Sequence, residues 1–443
     1  MPTFDFPQTR TRLGFHYFPD TLHYRELDLQ AWLPEILGMG ASWLTLIAPK
    51  DRAIPEDFIR TLIQENIEPV LQFHLAPDRL PDQENLRLLM KIYSEWGVRY
   101  ITLFDRPNSR TSWSAASWTQ SDLVESFLDI YIPSASLTLQ SGMIPVFPPL
   151  QPGGDYWDTA FLRAALQGIM RRGDQNLADN LVLGAYAWVN DKPLAWGTGG
   201  PERWPQSKPY HTPNGQEDQL GFYIFDWYQT IAQAELGHSL PVILVAAGFN
   251  PADGNALITD QLDIEQHTLV NLKIARLMAG ESIIDSESLP AVPPSVLACN
   301  YWLLAARQGS PEAPLAWFQP DGNELPIVES LRQFHNDPHQ NYPAGSIRKS
   351  TGCSSSSTWP IPHYLLLSPA QCHDKNQLLA TLWAYICETH PTIGFSLEEA
   401  VLAERVTVLD GPQGISHEEL HQLRRVGCSI ERLSRDGISI ATE

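Results

Sequence analysis

Five aspartates follow apolar, strand-like runs of the sequence and are candidates for acid–base chemistry. They are Asp20, Asp105, Asp155, Asp191 and Asp253. Two carboxyl groups that face each other across a substrate can act as general acid and as base or nucleophile. Aspartates at such positions also cap helices and stabilise turns, and that role is the better interpretation for any single one. The most plausible catalytic set is Asp20, Asp105, Asp155 and Asp191.

Aromatic side chains offer a second kind of chemistry, because their flat rings stack on sugar rings and on other flat apolar faces. The sequence has 14 Trp, and residues 190–219 form an aperiodic stretch rich in Pro, Gly, Trp and Tyr. A loop of this length usually acts as a lid or a binding loop. We therefore predict sugar stacking by Trp196, Trp204 and Tyr210. For Trp188 and Trp302 we predict the same contact, with core packing weighing more for Trp188.

Histidines and cysteines are the residues to inspect for a metal site. His16 and His74 lie near predicted strand ends, and His211 lies in the long loop, but no two histidines stand at ligand spacing. The five cysteines are widely spaced, with no Cys-x-x-Cys pair. This pattern predicts reduced structural cysteines and hydrogen-bonded histidines, with no metal and no cofactor.

The elements that must position these side chains alternate between two kinds of run. Apolar strand-like runs are separated by helical patterns such as residues 27–37, whose apolar residues recur at helix spacing. Eight strand–helix units in one direction predict an α/β fold, a (β/α)8 TIM barrel, and place the strand ends on one active face. The predicted strands are residues 13–18, 43–48, 68–75, 100–104, 143–147, 181–189, 241–247 and 296–305.

The pattern changes after Phe334. Residues 335–362 contain Pro, Gly, His and a run of four Ser, as in a linker. Residues 363–443 alternate again between short strand and helix patterns, which predicts a small C-terminal α/β domain. The predicted division is therefore a barrel at 1–334, a linker at 335–362 and the small domain at 363–443.

Composition excludes several classes of partner. Lys+Arg 30 against Asp+Glu 51 gives a formal charge of −21, so this acidic protein is not expected to bind nucleic acid or anionic membranes. There is no apolar run long enough to span a bilayer. The first residues lack a basic segment followed by an apolar one, so we expect no secretory signal and a cytoplasmic location.

Three segments between residues 10 and 335 carry a family resemblance. Residues 104–108, FDRPN, resemble the fourth-strand motif aromatic-Asn-Glu-Pro-Asn of the retaining (β/α)8 glycoside hydrolases. Residues 241–248 are similar to the seventh-strand motif of that clan, where a Glu two residues before a Gly is the nucleophile. Tyr301-Trp302 with residues 317–331 resembles the eighth strand and the closing helix. The resemblance implies a sugar site at the barrel mouth.

Both catalytic positions of that family are substituted in this sequence. Arg106 stands where the acid/base Glu is expected, and Ala246 stands at the nucleophile position. Arginine stays protonated and has no acceptor, and alanine has no polar side-chain atom. We therefore predict a pseudoenzyme-like barrel that binds a poly- or oligosaccharide. His16, His74, Asp105, Arg106 and Asn108 would provide hydrogen bonds, or Arg106 would bind an acidic glycan.

Two alternatives remain open. The first is an active glycoside hydrolase that uses relocated carboxylates among the aspartates above. The second is a structural or assembly protein, in which an inert barrel carries the small domain as a docking piece for a protein partner.

The C-terminal residues carry a second, shorter resemblance. Residues 406–442 are similar to one copy of a bacterial cell-wall-binding repeat of type 2, with Ser416 as the predicted N-cap of its helix. The repeat implies an extracellular or cell-surface location, in conflict with the missing signal, to which we give more weight.

Overall fold

Eight parallel strands close into a barrel in this computed structural model. The structure describes residues 11–189, 191–249, 261–284, 288–337, 359–368, 375–409, 415–434 and 439–442. The barrel strands are β1 (Leu13–His16), β2 (Trp43–Ala48), β3 (Glu68–Phe73), β4 (Tyr100–Thr102), β5 (Ile144–Leu150), β6 (Val182–Trp188), β7 (Val242–Gly248) and β10 (Val296–Tyr301). Their order around the barrel is β1-β10-β7-β6-β5-β4-β3-β2, so the predicted (β/α)8 fold is confirmed.

Helices follow the strands and form the outer layer. They are α1 (Glu26–Gly38), α2 (Glu56–Gln64), α3 (Gln83–Glu95), α4 (Ala115–Trp118), α5 (Leu123–Gln140), α6 (Asp158–Arg171), α7 (Gln175–Asp179), α8 (Gly200–Arg203), α9 (Ile224–Leu236), α10 (Gln261–Met278) and α11 (Pro326–Asn336). A short hairpin, β8 (Ile283–Ile284) and β9 (Ser288–Leu289), precedes the last barrel strand. The helix α8 lies inside the stretch at 190–219, for which the sequence predicts no periodic structure.

Seven of the eight predicted barrel strands end at a different residue in the structure, and the changes in β4 and β5 bear on the site. Strand β4 ends at Thr102, two residues before the predicted end, and Leu103 and Phe104 leave the strand. Strand β5 continues past Phe147 to Leu150 through two prolines. Its register with β6 shifts between Phe147 and Leu150. Proline is tolerated at such an irregularity because no ladder hydrogen bond is required there.

Buried side chains form separate layers on the two sides of the barrel wall. Outward-facing residues such as Phe15, Leu44 and Leu71 join the large cluster that includes the helices. A second cluster takes residues from the strands alone and fills the interior: Trp43, Val70, Tyr100, Val146, Val182, Ile243, Val245, Leu297 and Ala298. This packed interior is the floor beneath the strand ends.

A second sheet begins after residue 358. Its strands are β11 (Ile361–Leu366), β12 (Thr392–Gly394), β13 (Ala403–Leu409), β14 (Ser429–Leu433) and β15 (Ser439–Thr442), in the order β12-β11-β13-β14-β15. The neighbours are parallel except for β15, which is antiparallel to β14. Its helices are α12 (Lys375–Thr389), α13 (Leu397–Ala400) and α14 (His417–Arg425). The predicted small α/β unit is therefore confirmed.

One detail of the C-terminal prediction, the N-cap of α14, can be compared with the structure. Ser416 caps α14 in a capping box with Glu419, as expected from the sequence. Most of the predicted linker, residues 338–358, lies outside the described residues, and so does the turn at 410–414 within the repeat-like segment. The exact division into domains and the similarity to a cell-wall-binding repeat stay predictions.

The second sheet is joined to the barrel at the loops that follow β1 and β2. The amide of Ala53 donates to Ile393 O at 2.8 Å, and the amide of Phe395 donates to Asp51 O at 2.8 Å. Between these bonds the buried Arg52 places its Nε 3.1 Å from Glu399 Oε2 and donates to the carbonyl of Thr21. The contact lies on the face of the barrel where the strands end.

Candidate functional site

Asp105 lies at the centre of a polar network at the barrel mouth. Its Oδ1 accepts hydrogen bonds from the hydroxyl of Tyr186 at 2.5 Å and from Gln72 Nε2 at 3.3 Å. Its Oδ2 accepts from Arg106 Nε at 3.0 Å. The network joins β3, β6 and the loop after β4, and it fixes the carboxylate in one orientation.

The protonation of Tyr186 follows from its surroundings. Burial, together with the neighbouring Asp105 carboxylate, raises the pKa of Tyr186 well above its usual value. The phenol therefore stays neutral and donates a hydrogen bond to Asp105, while its oxygen accepts a hydrogen bond of 3.1 Å from Gln72 Nε2.

Arg106 is held by its backbone in an unusual conformation. Its φ is 44°, in the left-handed region that side chains other than glycine rarely adopt, at a cost of about 1–2 kcal/mol. The amide of Arg106 donates to Pro149 O at 3.0 Å, and its carbonyl accepts from Ser109 N at 2.9 Å, so the turn is fixed on both sides. The guanidinium carbon lies 5.1 Å from the ring centre of Tyr186, and 44% of the side chain is exposed.

Two histidines lie beside this network in different environments. His16 is buried, packs edge-on against Trp302 at 4.6 Å, and has its pKa lowered to about 3 by burial, with smaller effects from His74 and Arg106. The side chain of His74 is exposed at the surface, and desolvation by the neighbouring protein lowers its pKa, with Asp105 opposing the shift and Arg106 adding to it. Both imidazole rings are therefore neutral near neutral pH, and they can act as hydrogen-bonding groups but not as cations.

No metal centre is found among the residues that the structure describes. Within that part of the chain, no group of three or more His, Cys, Asp or Glu residues is arranged to hold a metal ion.

Aromatic rings continue the site from Tyr186 toward the rim. Tyr186 and Trp188 stand two residues apart on β6 and stack at 5.7 Å with an interplanar angle of 10°. Trp302 meets Trp188 edge-on at 6.2 Å. Trp188 also lines a cavity of about 160 Å³ with Gln151, Asp191, Lys192 and Leu220. Trp188 and Trp302 are both partly exposed, so they offer ring surface to a ligand.

The aromatic residues of the long loop lie in two kinds of place. Trp196 donates from Nε1 to Asp218 Oδ1 at 2.8 Å, and Trp204 donates from Nε1 to Thr198 O at 3.0 Å. Both rings are half-buried parts of the loop's own packing. Tyr210 is 79% exposed. Trp196 also lies near the cavity that Trp188 lines, because Lys192 of that cavity places its Nζ 4.8 Å from the ring centre of Trp196.

The other candidate aspartates stabilise loops or face solvent. Asp20 accepts from Leu22 N at 2.9 Å and from His23 Nδ1 at 2.8 Å. Asp155 accepts from the amide of Arg110 at 2.8 Å. Asp191 is 67% exposed beside the cavity, and Asp253 lies outside the described residues. Of the described candidates, Asp105 is the one within the polar network.

Asn108, another predicted ligand residue, has its side chain buried and engaged. Its Nδ2 donates to Gln151 O and to Tyr156 O, each at 2.9 Å, and its Oδ1 accepts from Gln151 N at 2.8 Å. All of these bonds go to the backbone of the loop after β5. The side chain therefore joins two loops instead of facing the mouth.

The position opposite the fourth strand offers no second carboxylate. Ala246 is fully buried in β7 and pairs in register with Tyr186 of β6. Retaining hydrolysis needs two carboxyl groups about 5 Å apart. Arg106 and Ala246 supply none at the two positions where the resemblance places them.

Two site residues, Gln72 and Tyr186, were missed by sequence reasoning. Gln72 is a polar residue inside an otherwise apolar run, and Tyr186 stands two residues before Trp188. Because side chains two apart share one face of a strand, this spacing was the available signal.

Comparisons with known proteins describe the fold. No family model matches the chain, and none of the curated proteins matches it. Among solved structures, a monomeric β-xylosidase from Caulobacter crescentus CB15 is 12% identical over 74% of this chain and 68% of that chain, with a TM-score of 0.44. Xylanase 10B from Thermotoga maritima is 10% identical over 74% of this chain and 95% of that chain, with a TM-score of 0.42. A GH128 (subgroup II) endo-β-1,3-glucanase from Sorangium cellulosum is 14% identical over 74% and 98%, with a TM-score of 0.39.

The class that the structure defines is a (β/α)8 barrel with a small C-terminal sheet, similar at low identity to barrel glycoside hydrolases. At such identities and TM-scores the likeness does not extend to activity or substrate. In the described part of the chain, helices that combine the length and the hydropathy needed to cross a bilayer are absent.

Proposed function

We propose that the barrel mouth binds a carbohydrate without cleaving it. The observation that carries this proposal is the Asp105–Arg106 pair beside the stacked rings of Tyr186 and Trp188. Sugars present apolar ring faces and a rim of hydroxyl groups, and this mouth combines aromatic faces with fixed polar groups. In this proposal Trp188 and Trp302 stack on the sugar, and Arg106 and His74 form hydrogen bonds with it.

The absence of cleavage follows from how Asp105 is used. Retaining hydrolysis needs a second carboxyl group about 5 Å from the first. Asp105 accepts hydrogen bonds from Tyr186, Gln72 and Arg106. These bonds hold the carboxylate in place, and among the described residues this network includes no second carboxylate that could complete a catalytic pair.

The alternative of relocated carboxylates has little support among the described residues. Asp20 and Asp155 are each committed to the backbone of a loop, and Asp191 is largely exposed at the rim. A glycosidase needs one carboxylic acid and one carboxylate on opposite sides of the bond that is cleaved. We therefore favour binding over hydrolysis.

A glycan array followed by calorimetry tests the binding proposal. We expect one or more oligosaccharides to bind, and we expect Trp188→Ala and Trp302→Ala to weaken binding by at least about fivefold, since losing a stacking ring costs ~1–3 kcal/mol. Tyr210→Ala removes an exposed ring from the long loop and shows whether that loop contributes to binding in addition to the mouth. A flat array across neutral and acidic glycans would contradict the proposal and favour the assembly alternative.

A separate assay tests the absence of cleavage. The wild-type protein is incubated with each bound glycan, and the release of new reducing ends is measured. We expect the wild-type protein to release no more reducing ends than the Asp105→Asn variant does. Release by the wild-type protein that Asp105→Asn abolishes would show that Asp105 is catalytic and that the site is an active glycosidase.

A further inference from the structure

We propose that the carbohydrate recognised at the mouth is acidic, a glycan whose uronic acid carboxylate binds Arg106. This inference rests on the proposed function and names the ligand class of the same site. It begins with the hydrogen-bond donors of Arg106. Nε donates to Asp105 Oδ2 at 3.0 Å, and the cation lies over the Tyr186 ring. The inner edge and one face of the guanidinium are thereby occupied.

The outer edge of the guanidinium is available to a ligand. The Arg106 side chain is 44% exposed although it is anchored at Nε. Arginine presents its N–H donors in a rigid fork that matches a carboxylate with two parallel hydrogen bonds. Because Asp105 and the ring of Tyr186 already orient the fork, little side-chain entropy is lost when an anion binds.

Among the described residues, the ion pair of Arg106 is with a single carboxylate, that of Asp105. The carboxylate of Asp105 is shared among Arg106, Tyr186 and Gln72 rather than given to the arginine alone. Ala246, in the strand beside Tyr186, brings no second negative charge. In a chain with a net charge of −21, a long-range field would repel an anion, so anion selectivity must come from contact at this cation.

The backbone of Arg106 gives independent support. A non-glycine residue at φ 44° is strained, and the surrounding hydrogen bonds to Pro149 and Ser109 hold it there. Strain that the surrounding structure maintains is concentrated at functional positions. The strained turn fixes where the guanidinium meets the mouth.

A sugar acid fits this arrangement better than a simple anion. Tyr186 contacts both the Arg106 cation and, through a parallel stack, the ring of Trp188. One oligosaccharide can therefore place a pyranose face on Trp188 and a carboxylate on Arg106. Free phosphate or sulfate would use the cation and leave the aromatic rings without a contact.

The experiment compares matched ligands by calorimetry at neutral pH. The probes are hexasaccharides of galacturonic, mannuronic and glucuronic acid, each beside its own carboxyl-reduced form. We expect at least one acid to bind about tenfold or more tightly than its reduced form, as for a hydrogen bond to a charged group. High salt should weaken the binding of the acid form and leave the affinity for the reduced form unchanged.

Variants assign the preference to one residue. Arg106→Gln should abolish the preference for the acid, because binding of the acid form should weaken by about tenfold more than binding of the reduced form, and Arg106→Lys should restore part of the preference. Arg87→Gln on α3, a comparable loss of charge on the outer helical layer, is the control. Trp188→Ala should weaken binding of both forms alike.

Each result decides between the two levels of the proposal. Equal binding of acid and reduced forms, or a preference that survives Arg106→Gln, would overturn the acidic-glycan inference and leave carbohydrate binding intact. If the wild-type protein binds neither form and no glycan on the array, both the acidic-glycan inference and the carbohydrate-binding proposal are overturned. The wild-type comparison of the paired ligands decides the matter even if a variant fails to fold.

Discussion

The hydroxyl of Tyr186 donates a 2.5 Å hydrogen bond to Asp105, linking the sixth barrel strand to the loop after the fourth. Gln72 of β3 donates to the same two groups, at 3.1 Å to the phenol and 3.3 Å to the carboxylate. Three segments that are distant in sequence therefore meet in one network. A buried polar network is strong when its donors and acceptors are matched, and it specifies one arrangement of the mouth.

Tyr186→Phe tests the strength of this network. The variant keeps the ring but removes the proton that Asp105 accepts, so we expect a loss of about 1.5–3 kcal/mol in the free energy of unfolding, the range for a hydrogen bond to a charged group. Urea denaturation followed by tryptophan fluorescence measures the change.

Tyr131 provides a matched control within the same barrel. Its ring is buried, and among the described residues its hydroxyl has no hydrogen-bond partner. Tyr131→Phe should therefore cost nothing or stabilise the protein slightly, because an unsatisfied buried hydroxyl is removed. Equal losses in the two variants would mean that the Tyr186–Asp105 bond contributes no specific stability.

The Arg52–Glu399 ion pair predicts a coupling between the barrel and the C-terminal sheet. The Arg52 side chain is 2% exposed, and its Nε lies 3.1 Å from Glu399 Oε2. Glu399→Ala leaves the arginine charge buried without its partner, which should cost about 3 kcal/mol, the low end for a buried pair since Glu399 is partly exposed. Arg52→Met is expected to be destabilising for the corresponding reason.

A double-mutant cycle isolates the interaction. Arg52→Met combined with Glu399→Ala should cost clearly less than the sum of the two single changes, by about 0.5–3 kcal/mol, because the second change removes the charge that the first one strands. Urea midpoints of the four proteins give the coupling energy. Strict additivity would show that the two residues do not depend on each other.

Gly394, at the same junction, leaves no room for a larger side chain. A Cβ at this position would lie 2.0 Å from the Tyr364 hydroxyl and 2.8 Å from Arg52 Cβ. Gly394→Ala should therefore destabilise the protein by about 1–3 kcal/mol through overpacking. Gly38, at the end of α1, has nothing within 4 Å of the position that a Cβ would take, so Gly38→Ala should be neutral or stabilising by up to about 1 kcal/mol. Thermal melting of the two alanine variants separates the cases.

The barrel strands could be predicted from sequence because their local pattern matches their environment. Strand β2, WLTLIA, is buried along its whole length, as a parallel strand covered on both faces must be. The end of β5 was harder, since prolines usually mark a boundary and here occupy an irregular stretch of the strand. Local propensity indicated the presence of each strand better than its limits.

The site could be predicted only in part, for a physical reason. Asp105 and Trp188 stand at strand ends, where the fold predicts a site, but the Tyr186 and Gln72 partners of Asp105 come from other strands. Their contact depends on how far each strand is staggered against the next, which is a property of the closed barrel. The Arg52–Glu399 pair likewise depends on how the second sheet packs, and no local pattern indicates it.

His16 makes the stability of the protein depend on pH. Burial lowers its folded-state pKa from 6.5 to about 3, with His74 and Arg106 also opposing the charge. Between these two values the unfolded chain binds a proton that the folded chain does not, so stability is lost as the pH falls through this window. The glutamine of His16→Gln cannot be protonated. The free energy of unfolding of this variant should therefore fall less steeply with decreasing pH, with a slope smaller than that of the wild-type protein by up to about 1.4 kcal/mol per pH unit.

Urea midpoints measured across the acid range check the slope. His267 and His363, whose pKa values are both lowered to about 4, contribute in the same direction, so His16→Gln should reduce the acid sensitivity without removing it. His421→Gln is the control, because this exposed ring on α14 is hydrated in the folded and in the unfolded chain. The outcome against this prediction is that both His16→Gln and His421→Gln show the same dependence of stability on pH as the wild-type protein. That result would mean that His16 is protonated in the folded protein and that water reaches it at the barrel mouth.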